Sequence, residues 1–138
     1  MQSQPAINAI GRHEGMAYIV ENDDLAAEVI SGILSTDKRY LVELVQPTRL
    51  AVNQMAQRAE PQDIIVIDII LGDELDGFDV VRSLVKEQFE GRIVLVSGYD
   101  PAYLSALRDI AREKGLHILG ALEKPFRNAE LMSLVQEA

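Results

Sequence analysis

Glu21, Asn22, Asp68, Ser97 and Lys124 place two carboxylates, an amide, a hydroxyl and an ammonium along this chain, each at or just beyond the end of an apolar run. Together they suit chemistry on a phosphoryl group. Carboxylate, amide and backbone carbonyl oxygens suit Mg²⁺, a hard cation that takes oxygen ligands and keeps several waters. Such a cation lets an anionic phosphate approach an anionic carboxylate, and it neutralises charge that develops on the transferring group. A carboxylate oxygen can attack phosphorus and form an acyl phosphate. A hydroxyl and an ammonium can then bind the phosphoryl oxygens. Asp68 sits among apolar β-branched residues, where an ionised carboxylate is costly unless a metal or hydrogen bonds compensate it.

Asp68 follows Glu21 by 47 residues, Ser97 follows Asp68 by 29, and Lys124 follows Ser97 by 27. Only a fold can bring them together. Residues 16–20 (MAYIV), 40–45 (YLVELV), 63–71 (DIIVIDIIL), 92–96 (RIVLV) and 117–122 (HILGAL) read as strands. Between them, Leu25, Val29, Ile30, Ile33 and Leu34 recur at helical spacing, with Asp24 as the expected N-cap. A second helix runs from about Leu50 to Ala59, before Pro61. A third runs from Phe78 to Phe89, ended by Gly91, and a fourth over 101–114, closed by Gly115. Asn128 is placed to cap a last helix. Residues 1–15, with Pro5, Gly11 and Gly15 and no period, read as a loose N-terminal tail.

Strands apolar on both faces, alternating with amphipathic helices, predict a parallel sheet covered on both sides. In such an open α/β sheet the ligand lies beyond the carboxyl ends of the strands, which is where the five polar residues fall. One domain accounts for the 138 residues. The formal net charge of −9 argues against phosphate neutralisation on nucleic acid and against anionic membrane surfaces. The absence of cysteine excludes disulfides and thiolate metal sites. No apolar run approaches the length of about 20 residues that spans a bilayer. Residues 1–15 lack the basic-then-apolar order of a secretory signal, so a cytoplasmic location is expected.

Taken singly, each element has a plain reading. Asp68 reads as a strand-end residue, Glu21-Asn22-Asp23-Asp24 as a solvated turn with a cap, and Ser97-Gly98 and Lys124-Pro125 as turns. All four in order resemble the receiver domain of two-component response regulators. The resemblance covers about Met16 to Ala138. Val20-Glu21-Asn22-Asp23, Ile64–Gly77 (IIVIDIILGDELDG), Val96-Ser97-Gly98-Tyr99 and Glu123-Lys124-Pro125-Phe126 carry it. It implies a flavodoxin-like (βα)5 fold with strand order 2-1-3-4-5 and helices on both faces, as residues 16–138. It further implies Asp68 as phosphoacceptor, Ser97 as the switch hydroxyl and Lys124 as the phosphate-contacting lysine. Glu21, Asn22, Asp68 and the backbone carbonyl of Ile70 become the Mg²⁺ ligands. The bond before Pro125 is expected to be cis.

The chain departs from the family pattern at three places. Asn22 stands where the family carries a second acid, which removes one negative charge and predicts weaker Mg²⁺ binding, with Asp23 as a partial substitute. Gly72 replaces a proline, and Asp76-Gly77 fall one position late, so the loop after Asp68 holds an extra residue, with Asp73 and Glu74 near the site. Ala121 takes the place of an aromatic switch residue, for which Tyr99 is the nearest substitute.

The resemblance implies a phosphoacceptor signalling domain rather than an enzyme. Asp68 would take a phosphoryl group from a phosphohistidine on a sensor histidine kinase or a histidine phosphotransfer protein, and the acyl phosphate would bias two surface states. The alternative is a pseudo-receiver, an interaction module that is not phosphorylated. An aspartate-nucleophile phosphohydrolase fits less well, because Ile70 occupies the place of its second Asp. A flavin-binding flavodoxin also fits poorly, because Glu21-Asn22-Asp23-Asp24 would repel a phosphate. Receivers pair through their fourth and fifth units, so a homodimer is among the expected assemblies. The stretch LGALEKPF is similar to receivers that precede cyclic-di-GMP phosphodiesterase domains, which adds such an output domain to the expected partners.

Overall fold

The computed structural model describes residues 13–72, 74–98 and 100–136. Asp73 and Tyr99 lie outside these residues, as do residues 1–12 of the tail. Five strands alternate with five helices: β1 (Gly15–Val20), α1 (Asp24–Ser35), β2 (Tyr40–Val45), α2 (Arg49–Arg58), β3 (Ile64–Asp68), α3 (Gly77–Lys86), β4 (Arg92–Ser97), α4 (Pro101–Glu113), β5 (His117–Glu123) and α5 (Asn128–Gln136). All strand pairs are parallel, in the order β2-β1-β3-β4-β5. The parallel sheet expected from the alternation, and the flavodoxin-like strand order implied by the resemblance, are the ones observed.

The sheet is covered on both faces. Ala17 and Ile19 of β1 and Ile64 and Val66 of β3 pack with Ile30, Ile33 and Leu34 of α1 and Leu131 and Val135 of α5. The alternate residues, Tyr18, Val20, Ile65 and Ile67, join Val52 and Met55 of α2, Val80 and Leu84 of α3, and Leu104 and Leu107 of α4. β3 lies at the centre, and Ile64, Ile65, Val66 and Ile67 are fully buried. Each such side chain contributes about 1.5–3 kcal/mol by leaving water. This core makes the carboxyl end of β3 a fixed point.

The base of the central strands is pinned by a carboxylate. Asp63 is buried and accepts hydrogen bonds from the amides of Met16 (2.7 Å) and Glu60 (2.7 Å). This bridge sets β1 against β3 from below. Strand β1 starts at Gly15, one residue before the apolar run, because the amides of Glu14 and Gly15 both donate to the carbonyl of Arg39 at the start of β2.

Three helix boundaries differ from the sequence reading. The N-cap of α1 is Asp23, not Asp24. The Asp23 carboxylate accepts from the amides of Leu25 (3.0 Å) and Ala26 (3.4 Å), while Asp24 is already helical. Helix α3 ends at Lys86 rather than near Phe89. Gln88 takes a positive φ of 55°, and the chain turns there to return Phe89 to the core. Helix α5 starts on Asn128, so the capping position is Arg127, whose amide donates to Glu130.

Candidate functional site

Parallel strands end together, so β1, β3, β4 and β5 deliver their last residues to one edge. Asp68 is the last residue of β3 and is paired in register with Val96 of β4. Glu21 follows β1 directly, and Lys124 follows β5 directly. Asp23 caps α1 and also donates its own amide to Oε2 of Glu21 at 3.2 Å. The cap therefore holds both the helix start and the carboxylate.

Lys124 joins the two acids. Its Nζ lies 2.5 Å from Oε1 of Glu21 and 3.2 Å from Oδ2 of Asp68. The other oxygen of Asp68, Oδ1, accepts from the amide of Ile70 at 3.0 Å. Asp68 is thus held through both oxygens, which compensates its burial at the end of an apolar strand. The Lys124-Pro125 bond is cis, as expected. The lysine amide donates to the carbonyl of Ser97 at 2.7 Å, so the ends of β4 and β5 are joined by backbone as well.

The electrostatics are those of two acids sharing one cation. Burial, and then the side-chain contact with Asp68, push the Glu21 carboxyl up to about 7, against the lowering pull of the Lys124 ammonium. Burial works to lower the Lys124 pKa. The contacts with Glu21 and Asp68 outweigh it and hold the ammonium above its ordinary value.

Glu21, Asn22, Asp23, Asp68, Ile70, Gly98 and Lys124 line one open cleft of about 350 Å³. Of the sequence-predicted residues, Glu21, Asn22, Asp68, Ile70 and Lys124 meet on this wall. Ser97 is buried beside it, at the end of β4 opposite Glu123, and the wall itself is formed by its neighbour Gly98. Ala121 is half-buried on β5, and Tyr99, its suggested substitute, lies outside the described residues. Sequence reading missed the Glu21–Lys124 ion pair and the wall position of Gly98. The local signal for Gly98 was its place directly after the strand-ending serine.

Asp23, proposed from sequence to stand in for the missing acid, reaches the cleft wall while its Oδ1 serves the helix cap. Among the described residues there is no cluster of three histidines, cysteines or acids able to hold a metal ion. The donor set on the wall is three carboxylates, of which Asp23 also serves the helix cap, one amide side chain and the backbone at Ile70. These are hard oxygen donors carrying more negative charge than one lysine neutralises. They fit a divalent cation that keeps part of its water.

The loop after β3 is shaped by backbone rather than by charge. Gly72 takes φ +115°, a region that favours glycine, and Leu75 is buried beneath the loop. The amide of Gly77 donates to the carbonyl of Ile69 at 2.9 Å, which closes the loop onto the residue after Asp68. Asp76 and Asp79 form a reciprocal capping box at the start of α3. Glu74 is exposed, and Asp73 lies outside the described residues.

An apolar groove of about 370 Å³ runs beside the cleft. It is lined by Leu25, Ala26, Val29 and Ile30 of α1 and by Pro125 and Phe126. Leu25 and Val29, one helical turn apart, are 71% and 48% exposed.

Comparison with known proteins agrees with this architecture. Residues 17–136 match the family model described as "Response regulator receiver domain". A search of curated proteins found no match. Among solved structures, a response regulator from Colwellia psychrerythraea superposes with a TM-score of 0.74 at 22% identity, over 90% of this chain and 95% of that one. The receiver domain of a sensor histidine kinase from Pseudomonas aeruginosa PAO1, with a magnesium ion coordinated in its active site cleft, gives 0.65 at 25% identity, over 89% and 95%. The N-terminal domain of a response regulator/sensory box/GGDEF three-domain protein from Carboxydothermus hydrogenoformans gives 0.69 at 24%, over 88% and 91%.

Proposed function

Because the chain belongs to the response regulator receiver domain family of two-component signalling, we propose that Asp68 accepts a phosphoryl group from a phosphohistidine of a partner protein. One oxygen of Asp68 attacks phosphorus, the nitrogen–phosphorus bond breaks, and the imidazole leaves with the electron pair and takes up a proton. The observation that carries this reading is the placement of Asp68 between the Ile70 amide and the Lys124 ammonium at the carboxyl edge of the sheet. Those contacts orient the carboxylate and supply a cation for the phosphoryl oxygens. Ser97, at the end of the adjacent strand, serves as the hydroxyl that follows the phosphoryl group.

Glu21, Asn22, Asp68 and the Ile70 carbonyl would hold Mg²⁺, which when bound supplies positive charge against the transferring phosphoryl group. Asn22 contributes an oxygen without a charge, so the site is weaker than one with two acids beside Asp68. Leu25 and Val29 offer an apolar landing beside the carboxylates, which favours a protein donor such as a sensor histidine kinase or histidine phosphotransfer protein. The output is a changed interaction surface on the chain itself, a second copy or an attached output domain. The multi-domain context of the Carboxydothermus neighbour supports the last of these. The charge of −9 points away from direct nucleic-acid binding. Among the described residues no helix is long and apolar enough to cross a membrane.

Incubation with acetyl phosphate and Mg²⁺, followed by intact-mass measurement, tests the reading. One added phosphate is expected on the native chain and none on Asp68→Asn. No adduct with acetyl phosphate or with a phosphorylated histidine kinase would leave the pseudo-receiver reading in its place.

A further inference from the structure

Two half-buried aromatic rings outside the cleft join the segments that follow Asp68 and Ser97. Phe78 is the second residue of α3, and Tyr103 is the third of α4. Their ring centroids are 5.4 Å apart and the planes are inclined by 66°, an edge-on contact. Behind Phe78, the Gly77 amide is bonded to the Ile69 carbonyl, one residue from Asp68. Behind Tyr103, Asp100 caps α4 through the Ala102 amide, three residues from Ser97. Burial, and then the charges of Asp76 and Asp79 in the capping box that starts α3, raise the pKa of the Tyr103 phenol. On the same side of the core β5 contributes Ile118 and Ala121, and position 121 offers only a methyl group.

We infer that the Phe78–Tyr103 contact is a joint between the loop after β3 and the loop after β4, so that the two move together rather than separately. An edge-on aromatic pair has few equivalent arrangements, and a slide of an ångström or two forfeits it. Both helix starts are also capped, so a shift of either loop moves its ring as part of a rigid first turn. The joint deepens the phosphoacceptor reading and rests on it for what drives the movement. The coupling itself rests on the packing alone. It gives this chain a link between the acceptor loop and the Ser97 loop where β5 carries no aromatic side chain at position 121.

Hydrogen exchange on Phe78→Leu, Tyr103→Leu and the double variant tests the joint without any phosphodonor. Phe78→Leu is expected to speed exchange of the Leu104 and Ser105 amides in α4, and Tyr103→Leu that of Val80 and Val81 in α3, by about two- to tenfold. The double variant should exceed the larger single effect by little. Unchanged α4 amides in Phe78→Leu, or effects that multiply, would overturn the inference. A second comparison adds trifluoroberyllate and Mg²⁺ as a phosphoryl mimic. Exchange should change in both helices of the native chain, but only at the start of α3 in either single variant. A full response of α4 in the variants also overturns the joint. If the native chain does not respond at all, the phosphoacceptor reading fails, and the first comparison still decides the joint.

Discussion

The Lys124 ammonium sits 2.5 Å from Glu21 and 3.2 Å from Asp68, so one cation is divided unequally between two buried acids. Removing it leaves both acids without a counter-charge. Lys124→Met should cost about 3 kcal/mol of stability at pH 7.5, towards the lower end for a broken buried pair because the lysine head is partly exposed. Urea midpoints measure this. The loss should shrink at pH 5, where Glu21 takes up a proton, and a variant as stable as the native chain at both pH values would contradict the account.

Glu21 itself sets a pH dependence. In the folded chain its proton is held up to about 7, whereas the ordinary value is 4.5. Between those values the folded state binds more protons than the unfolded one, so stability falls as pH rises. The contribution is complete below 4.5 and lost by about pH 7. The native chain should lose about 1–3 kcal/mol over this window without added metal, and Glu21→Gln should lose much less.

The same proton competes with a cation. Mg²⁺ affinity should rise with pH below 7, approaching tenfold per unit, and binding should release a proton. Calorimetry in two buffers of different ionisation enthalpy reads the release directly. A pH-independent affinity in Glu21→Gln and a pH-dependent one in the native chain are the expected pair of results.

Asn22 lies on the cleft wall and is exposed, so an acid there costs little desolvation. Asn22→Asp should tighten Mg²⁺ binding by on the order of tenfold by adding ligand charge. Without metal the variant should be no more stable than the native chain, because the new charge adjoins Glu21 and Asp23. Equal Mg²⁺ affinities would remove Asn22 from the ligand set.

Gly77 shows how closely the loop is packed behind Asp68. A Cβ at this position would lie 2.6 Å from the Cα of Ile69 and 2.7 Å from its Cβ, so backbone must move. Gly77→Ala should cost about 1–3 kcal/mol and disturb the Ile70–Asp68 contact. The phosphorylation rate with acetyl phosphate should fall with it. Gly32→Ala, where an added Cβ meets nothing within 4 Å, is the control expected to leave both quantities nearly unchanged.

Much of this architecture was legible in the residues because it is local and periodic. The run IIVID announces a strand buried on both faces, and the helical spacing of Leu25, Val29, Ile30, Ile33 and Leu34 announces α1. Periodicity does not distinguish a helix residue from a loop residue that returns to the core, so spacing alone extends α3 to Phe89. Nor does composition separate adjacent caps. Asp23 prevails over Asp24 because its carboxylate reaches the Leu25 and Ala26 amides and its amide reaches Glu21.

From the chain of residues alone came the order of strands and helices, the edge at which polar groups collect, and the identity of the acids and the lysine. Parallel strands with apolar faces leave those residues nowhere else to go. Which acid Lys124 favours, where Asp68 directs its two oxygens, and how far Glu21 is driven from its ordinary protonation were decided only by the assembled sheet. Those properties depend on distances of 2.5–3.2 Å between residues 56 and 103 positions apart in the chain. At that range a few tenths of an ångström and the exclusion of water set the energy, and no sequence pattern encodes either.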